Sequence, residues 1–163
     1  KEWDEDLVAA EFKVTPMETE NLVENFTIQV KDISSDRAHV EIAWENTKVY
    51  FTVEVPTDQK VMASIKKTIN EGAKQRDYYS AAVYYLNEDK DIKTAVKWID
   101  IAMEMSEEKP FWMLRQQALI YHKAGMKKDA IKLAKESMKA AEKAGNDDYV
   151  KMNKASIKEW RKK

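Results

Sequence analysis

The chain has 163 residues, 44% of them hydrophobic and 35% charged, with a net charge of −1. That balance suits a folded chain with a core and excludes a disordered polyelectrolyte. No apolar run approaches the roughly 20 residues of a membrane-spanning helix, and the lack of cysteine excludes disulfides, thiol catalysis and zinc–thiolate sites.

The charge is unevenly spread. Residues 1–56 hold 5 Lys/Arg against 13 Asp/Glu, and the rest of the chain holds 23 against 16. An acidic half therefore precedes a basic one. Either the halves attract and keep the protein soluble, or the basic half meets an anionic partner. Nucleic acid does not fit well, because the arginines are few and scattered (Arg37, Arg76, Arg115, Arg161). The chain begins at Lys1 with no signal-like segment, which reads as a processed or excised piece.

In chain order, residues 7–55 alternate with a period of two. Val8, Ala10, Phe12 and Val14 are followed by Phe26, Ile28 and Val30, then Ala38, Val40, Ile42 and Trp44, then Val49, Phe51, Val53 and Val55. This predicts an antiparallel sheet of about four strands with one buried face. A two-residue turn at Asn46 and Thr47 would place Ile42 opposite Phe51, Val40 opposite Val53 and His39 opposite Glu54. Ser34, Ser35 and Asp36 supply turn chemistry before the third strand. Such a sheet needs a cover, from the helices that follow or from further strands.

The period changes after Pro56. Asp58 is the expected N-cap of a helix with Val61, Met62, Ile65 and Ile69 on one face, ended near Gly72. A second helix over 73–86 turns Tyr79, Ala82, Val83 and Leu86 inward. Asp91 caps a third, which buries Ala95, Val96, Ile99, Ala102 and Met103. Pro110 opens a fourth through Leu114, Ala118 and Tyr121, closed at Gly125. A fifth, Lys127 to Lys143, carries Ala130, Ile131, Ala134 and Met138 and stops at Gly145. The last starts at Asp147 and carries Tyr149, Met152, Ile157 and Trp160, and its lysines (Lys151, Lys154, Lys158, Lys162, Lys163) suit a polar outer end.

An offset of 35 maps Ala95 onto Ala130, Ile99 onto Ala134, Ala102 onto Ser137 and Val83 onto Ala118. A period near 34 with small residues at fixed helical positions predicts tetratricopeptide-like repeats. The fold class is therefore α+β: an antiparallel sheet region over 1–56, then a right-handed tetratricopeptide-like array of five or six α-helices over 57–163.

FTI (26–28), VEIAWENTKV (40–49) and VEV (53–55), continuing through 78–105, 110–138 and 146–160, resemble the end of the bacterial domain-of-unknown-function 2911 family. The Trp-Glu-Asn-Thr segment at 44–47 is the most telling piece. The resemblance implies an extracytoplasmic protein of the periplasm or envelope. It also implies that a signal segment and a strand-rich region, both missing here, precede this point. The family has no established activity, so the resemblance implies no reaction.

No catalytic constellation, metal site or cofactor loop emerges. His39 and His122 are too far apart to share a metal, the three glycines are isolated, and no nucleophile elbow is present. Asn25-Phe26-Thr27 matches a glycosylation sequon but lies within a predicted strand.

Among repeats of this type, the first helix of each pair lines a groove. This assigns Ser80, Tyr84 and Asn87, then Trp112, Arg115, Leu119 and His122, to a binding face. Arg115 and His122 lie two helical turns apart and could receive a peptide carboxylate. The reading is a non-catalytic module for a protein or peptide partner, without nucleic acid or a membrane span, and open to self-association through the uncovered sheet. Two alternatives stand beside it. One is an enzyme or carbohydrate-binding protein with its site on the sheet near Glu41, Glu45, His39, Trp44 and Tyr50. The other is a structural support for a missing N-terminal β region.

Overall fold

The computed structural model describes residues 4–162, which divide into two units between Met62 and Ala63.

The first unit is a long two-stranded antiparallel ribbon. A short 3-10 turn at Glu5–Leu7 is capped by Asp4, and β1 (Met17–Lys31) pairs with β2 (Arg37–Glu54). The register runs from Lys31 opposite His39, through Val30 opposite Val40 and Ile28 opposite Ile42, to Met17 opposite Lys48. The expectation of about four strands is thereby corrected to two. Residues 8–14 alternate in sequence but form no strand, and the third and fourth expected strands are one continuous strand. Asn46-Thr47 is not a turn: both residues lie inside β2, where Thr47 pairs with Glu18. The irregularity appears instead as a bulge. Glu45 takes φ +52°, and the pairing slips between Glu18 and Val23 and again between Val23 and Thr27. His39 accordingly faces Lys31 rather than Glu54. The Ser34 and Asp36 turn forms as expected, with Ser34 Oγ donating to Asp36 Oδ1 at 2.8 Å.

Ala43 is the one fully buried side chain among residues 4–62. Phe26, Ile28, Val30 and Trp44 are all more than half exposed. Ile28 and Val30 pair directly with Ile42 and Val40, so the apolar face is real and uncovered. An isolated two-stranded ribbon is marginal in water.

The division between the units falls within α1 (Thr57–Gly72). Its helical bonding begins two residues before the expected cap, with Lys60 N–H donating to the Pro56 carbonyl, so Asp58 sits in the first turn instead. None of its residues is buried, and its apolar stripe is only half-covered.

The second unit holds the core. It consists of α2 (Gln75–Asn87), α3 (Ile92–Glu104), α4 (Phe111–Lys123), α5 (Lys127–Lys143) and α6 (Asp147–Trp160). Each helix packs on the next, and α4 also touches α2 and α6. Alanines make this close stacking feasible. Ala95, Ala102, Ala118, Ala130, Ala134 and Ile99 are all fully buried. Ala95/Ala130 and Ile99/Ala134, each 35 apart, lie on α3 and α5, whereas Val83, 35 before Ala118, is only half-buried.

The helix ends follow local chemistry. Asp91 accepts from Lys93 N–H and Thr94 N–H, and Asn146 accepts from Tyr149 N–H. Hydrogen bonding to Thr94 holds the Asp91 carboxyl below the usual carboxylate range. Gly125 and Gly145 close α4 and α5 with φ of +81° and +68°. In each case the next residue donates back to the carbonyl five positions earlier, Met126 to Tyr121 and Asn146 to Ala141. Asp89 plays the same part after α2 at φ +54°, with Lys90 donating to Tyr85.

Some inward assignments shift. In α2 the buried residues are Ala81, Ala82 and Tyr85, while Tyr79, Val83 and Leu86 are half-buried, because Tyr85 turns in to meet the Trp98 ring at 4.7 Å. Val96 is half-buried, and Met152 of α6 lies exposed. Lys163 lies outside the described residues.

Candidate functional site

The face assigned from the sequence is centred on α4. Its apolar side fixes how the helix lies: Met113, Leu114, Gln117, Ala118 and Ile120 are buried, which turns the 112, 115, 119 and 122 positions toward the remaining side. Trp112 is 46% exposed and meets the Phe111 ring edge-on at 5.0 Å. Arg115, one turn on, is half-buried. Its Nη1 donates to Asn153 Oδ1 at 3.0 Å and reaches Ser156 Oγ at 3.5 Å, both on α6. Both partners are neutral. Burial pulls the guanidinium below the usual arginine value, and among the described residues no carboxylate pairs with it.

Leu119 packs against the cluster of Ala118, Ala130, Ala134, Ile157 and Trp160. His122 stacks on Trp160, with ring centroids 4.4 Å apart and planes 11° apart. Tyr84 is half-buried and Asn87 is exposed at the end of α2. Lys123 joins that end to α4 by donating to the Leu86 carbonyl at 3.1 Å and pairing with Asp89 at 2.6 Å. The fold thus groups Trp112, Arg115, Leu119 and His122 along one side of α4, with Arg115 and His122 engaged by α6. Tyr84 and Asn87 belong to the neighbouring α2.

Behind Arg115 lies a polar chain that the sequence reading missed. Asn153 Nδ2 donates to Ser137 Oγ at 2.8 Å, and Ser137 Oγ donates to the Phe111 carbonyl at 2.7 Å. Asn153 and Ser137 are both fully buried. The signal was available: Ser137 stands 35 residues beyond Ala102, and Asn153 stands 35 beyond Ala118. A polar residue where the pattern expects a small apolar one marks a position with a specific partner. On the opposite side of α4, Gln117 Nε2 and Tyr121 Oη both donate to Asp100 Oδ1, at 2.8 and 2.7 Å. Burial, then the bond to Asp100, pushes the Tyr121 phenol up to about 12.

Of the sheet residues weighed for an alternative site, Glu41 and His39 have charged partners elsewhere. Glu41 pairs with Lys31 at 2.6 Å, and His39 Nδ1 lies 3.1 Å from Asp32 Oδ2. Glu45 is exposed at the bulge, and Trp44 and Tyr50 are exposed as well, Tyr50 with its ring edge-on to His39 at 6.1 Å. Among the described residues no group of three or more acidic or histidine side chains could hold a metal ion. No helix of the described residues is long and apolar enough to cross a membrane.

The chain thus joins an open β-ribbon to a stack of short, alanine-packed helices. Residues 1–53 match the model of a family described as a protein of unknown function (DUF2911), the family that the sequence resembles. That match ends within β2, so the helical unit lies beyond it. No curated protein and no solved structure matches the chain.

Proposed function

We propose that the helical region, 57–163, is a non-catalytic, tetratricopeptide-like module that binds the C-terminal end of a peptide or protein along α4. One observation carries this reading: Arg115 holds a half-buried cation whose hydrogen bonds, among the described residues, go to the neutral side chains of Asn153 and Ser156, beside the exposed Trp112. A carboxylate is the anion whose geometry best matches the guanidinium fork. Trp and Arg are also the residue types that dominate binding hot spots. Family resemblance supports an extracytoplasmic setting in a bacterial envelope. Immunoblots of periplasmic and cytosolic fractions from the source cells check it, and recovery in the cytosol alone would remove it.

The binding reading is tested by titrating the protein with a peptide library bearing free C-terminal carboxylates and with the same library amidated. Selected free-acid peptides are expected to lose about tenfold in affinity, about 1.4 kcal/mol, on amidation. Arg115→Ala and Trp112→Ala should each cause a similar loss with the helical circular dichroism unchanged. Equal binding of amidated and free peptides would remove the role given to Arg115.

A second reading concerns the ribbon. Its uncovered Phe26, Ile28, Val30 and Trp44 support association of this unit with further protein surface, including another copy. Sedimentation velocity over a concentration series is expected to show reversible self-association that Trp44→Glu weakens. A monomer at all concentrations would count against the self-association.

A further inference from the structure

A second surface lies between α5 and α6, on residues that the α4 reading does not use. Lys135 and Met138 of α5, with Lys154, Ile157, Lys158 and Arg161 at the end of α6, line a cleft of about 420 Å³. Ile157 is buried and Met138 half-buried, so the floor is apolar and recessed. The other four lining residues are cations. None of the four pairs with a carboxylate among the described residues.

A contrast shows what is unusual here. A cleft of the same volume beside α4 and α5 sets Lys109 and Lys132 among Asp129 and Glu136, so its charges balance. At the α5–α6 cleft four like charges ring an apolar floor with no acid among them. Such a rim draws anions toward the cleft.

We propose that the α5–α6 cleft is a binding site for an acidic segment of a partner protein, which seats an apolar side chain between Met138 and Ile157. The chemistry selects this occupant. The four cations require negative charge. The sunken floor requires a side chain that projects into it, and a membrane surface offers none. Nucleic acid would meet a floor with no aromatic ring for stacking and a rim with a single arginine. The site differs from the Arg115 face, which calls for a terminal carboxylate, and the two can fail separately.

The test uses the whole chain and a fluorescein-labelled peptide, Glu-Asp-Glu-Leu-Phe-Asp-Glu, amidated so that no terminal carboxylate can engage Arg115. Fluorescence anisotropy is expected to show saturable binding that weakens at least tenfold in Lys154→Glu/Lys158→Glu. Both lysines are exposed, and circular dichroism verifies that the variant keeps its helices. Arg115→Ala should leave this binding unchanged, and a peptide with serine for Leu and Phe should bind at least tenfold more weakly. Equal binding of the serine peptide, or an unaffected double variant, overturns the proposal. So does binding of phosphatidylserine vesicles in place of the peptide. Self-association in sedimentation equilibrium that the double variant abolishes would also overturn it, since the occupant would then be a second copy of this chain.

Discussion

Asn153→Ala is expected to destabilise the helical unit by about 2–4 kcal/mol, combining a buried cavity with lost hydrogen bonds. The Asn153 amide is wholly enclosed and links the Arg115 guanidinium to the Ser137 hydroxyl. Its removal takes a donor from Ser137 and leaves Arg115 with only the long contact to Ser156. Urea unfolding followed at 222 nm measures the loss. The chain-like connection gives a sharper check. Ser137→Ala alone should destabilise by about 1–3 kcal/mol, because it strands the buried Asn153 amide. Together the two substitutions should destabilise by less than the sum of their separate effects. Strict additivity would mean that the three side chains do not act as one network.

Ala118→Leu carries the second large expectation, a loss of about 2–3 kcal/mol from overpacking. Ala118 has no exposed surface and sits where α4 meets α5, in one cluster with Ala130, Ala134, Ile157 and Trp160. Three additional heavy atoms there must push the helices apart or force strained rotamers, because interiors are already close-packed. The same unfolding experiment reads the effect. Lys139→Ala, on the exposed side of α5, should stay within about 0.5 kcal/mol of the parent. If Ala118→Leu is equally silent, the alanines are not what sets the helix spacing.

The helical unit was largely legible because its determinants are local. Asp91, Pro110, Gly125 and Gly145 act within one turn of themselves. The alanine spacing also survives in sequence because every helical turn repeats the same geometry. The ribbon was harder, and particular residues explain why. Alternation in Val8 to Val14 reports which side is apolar, but pairing needs a neighbouring strand, and that stretch has none. The slips between Glu18 and Thr27 break the two-residue period, so the first half of β1 carried no recognisable strand pattern. At Asn46-Thr47 alternation on both sides suited either a hairpin or one long strand, and only the pairing with β1 decides between them.

The candidate site shows the same division. Trp112, Arg115, Leu119 and His122 could be placed together because they share one helix face. Their partners could not. Asn153 and Ser156 lie 38 and 41 positions from Arg115, and the Trp160 stack on His122 is likewise a contact between helices. Such contacts depend on how α6 lies across α4, which no pattern within either helix encodes.

The bulged ribbon carries a consequence for handling the protein. A strand pair leaves one row of amides and carbonyls unshared along each of its two margins, ready to recruit a stray chain in the manner of fibril growth. Glu18, Glu20 and Glu24 stand exposed along β1 and repel such recruits. That protection is electrostatic, so concentrated electrolyte dulls it. Dilute, low-salt buffer is therefore the storage medium in which the sample should stay clear longest.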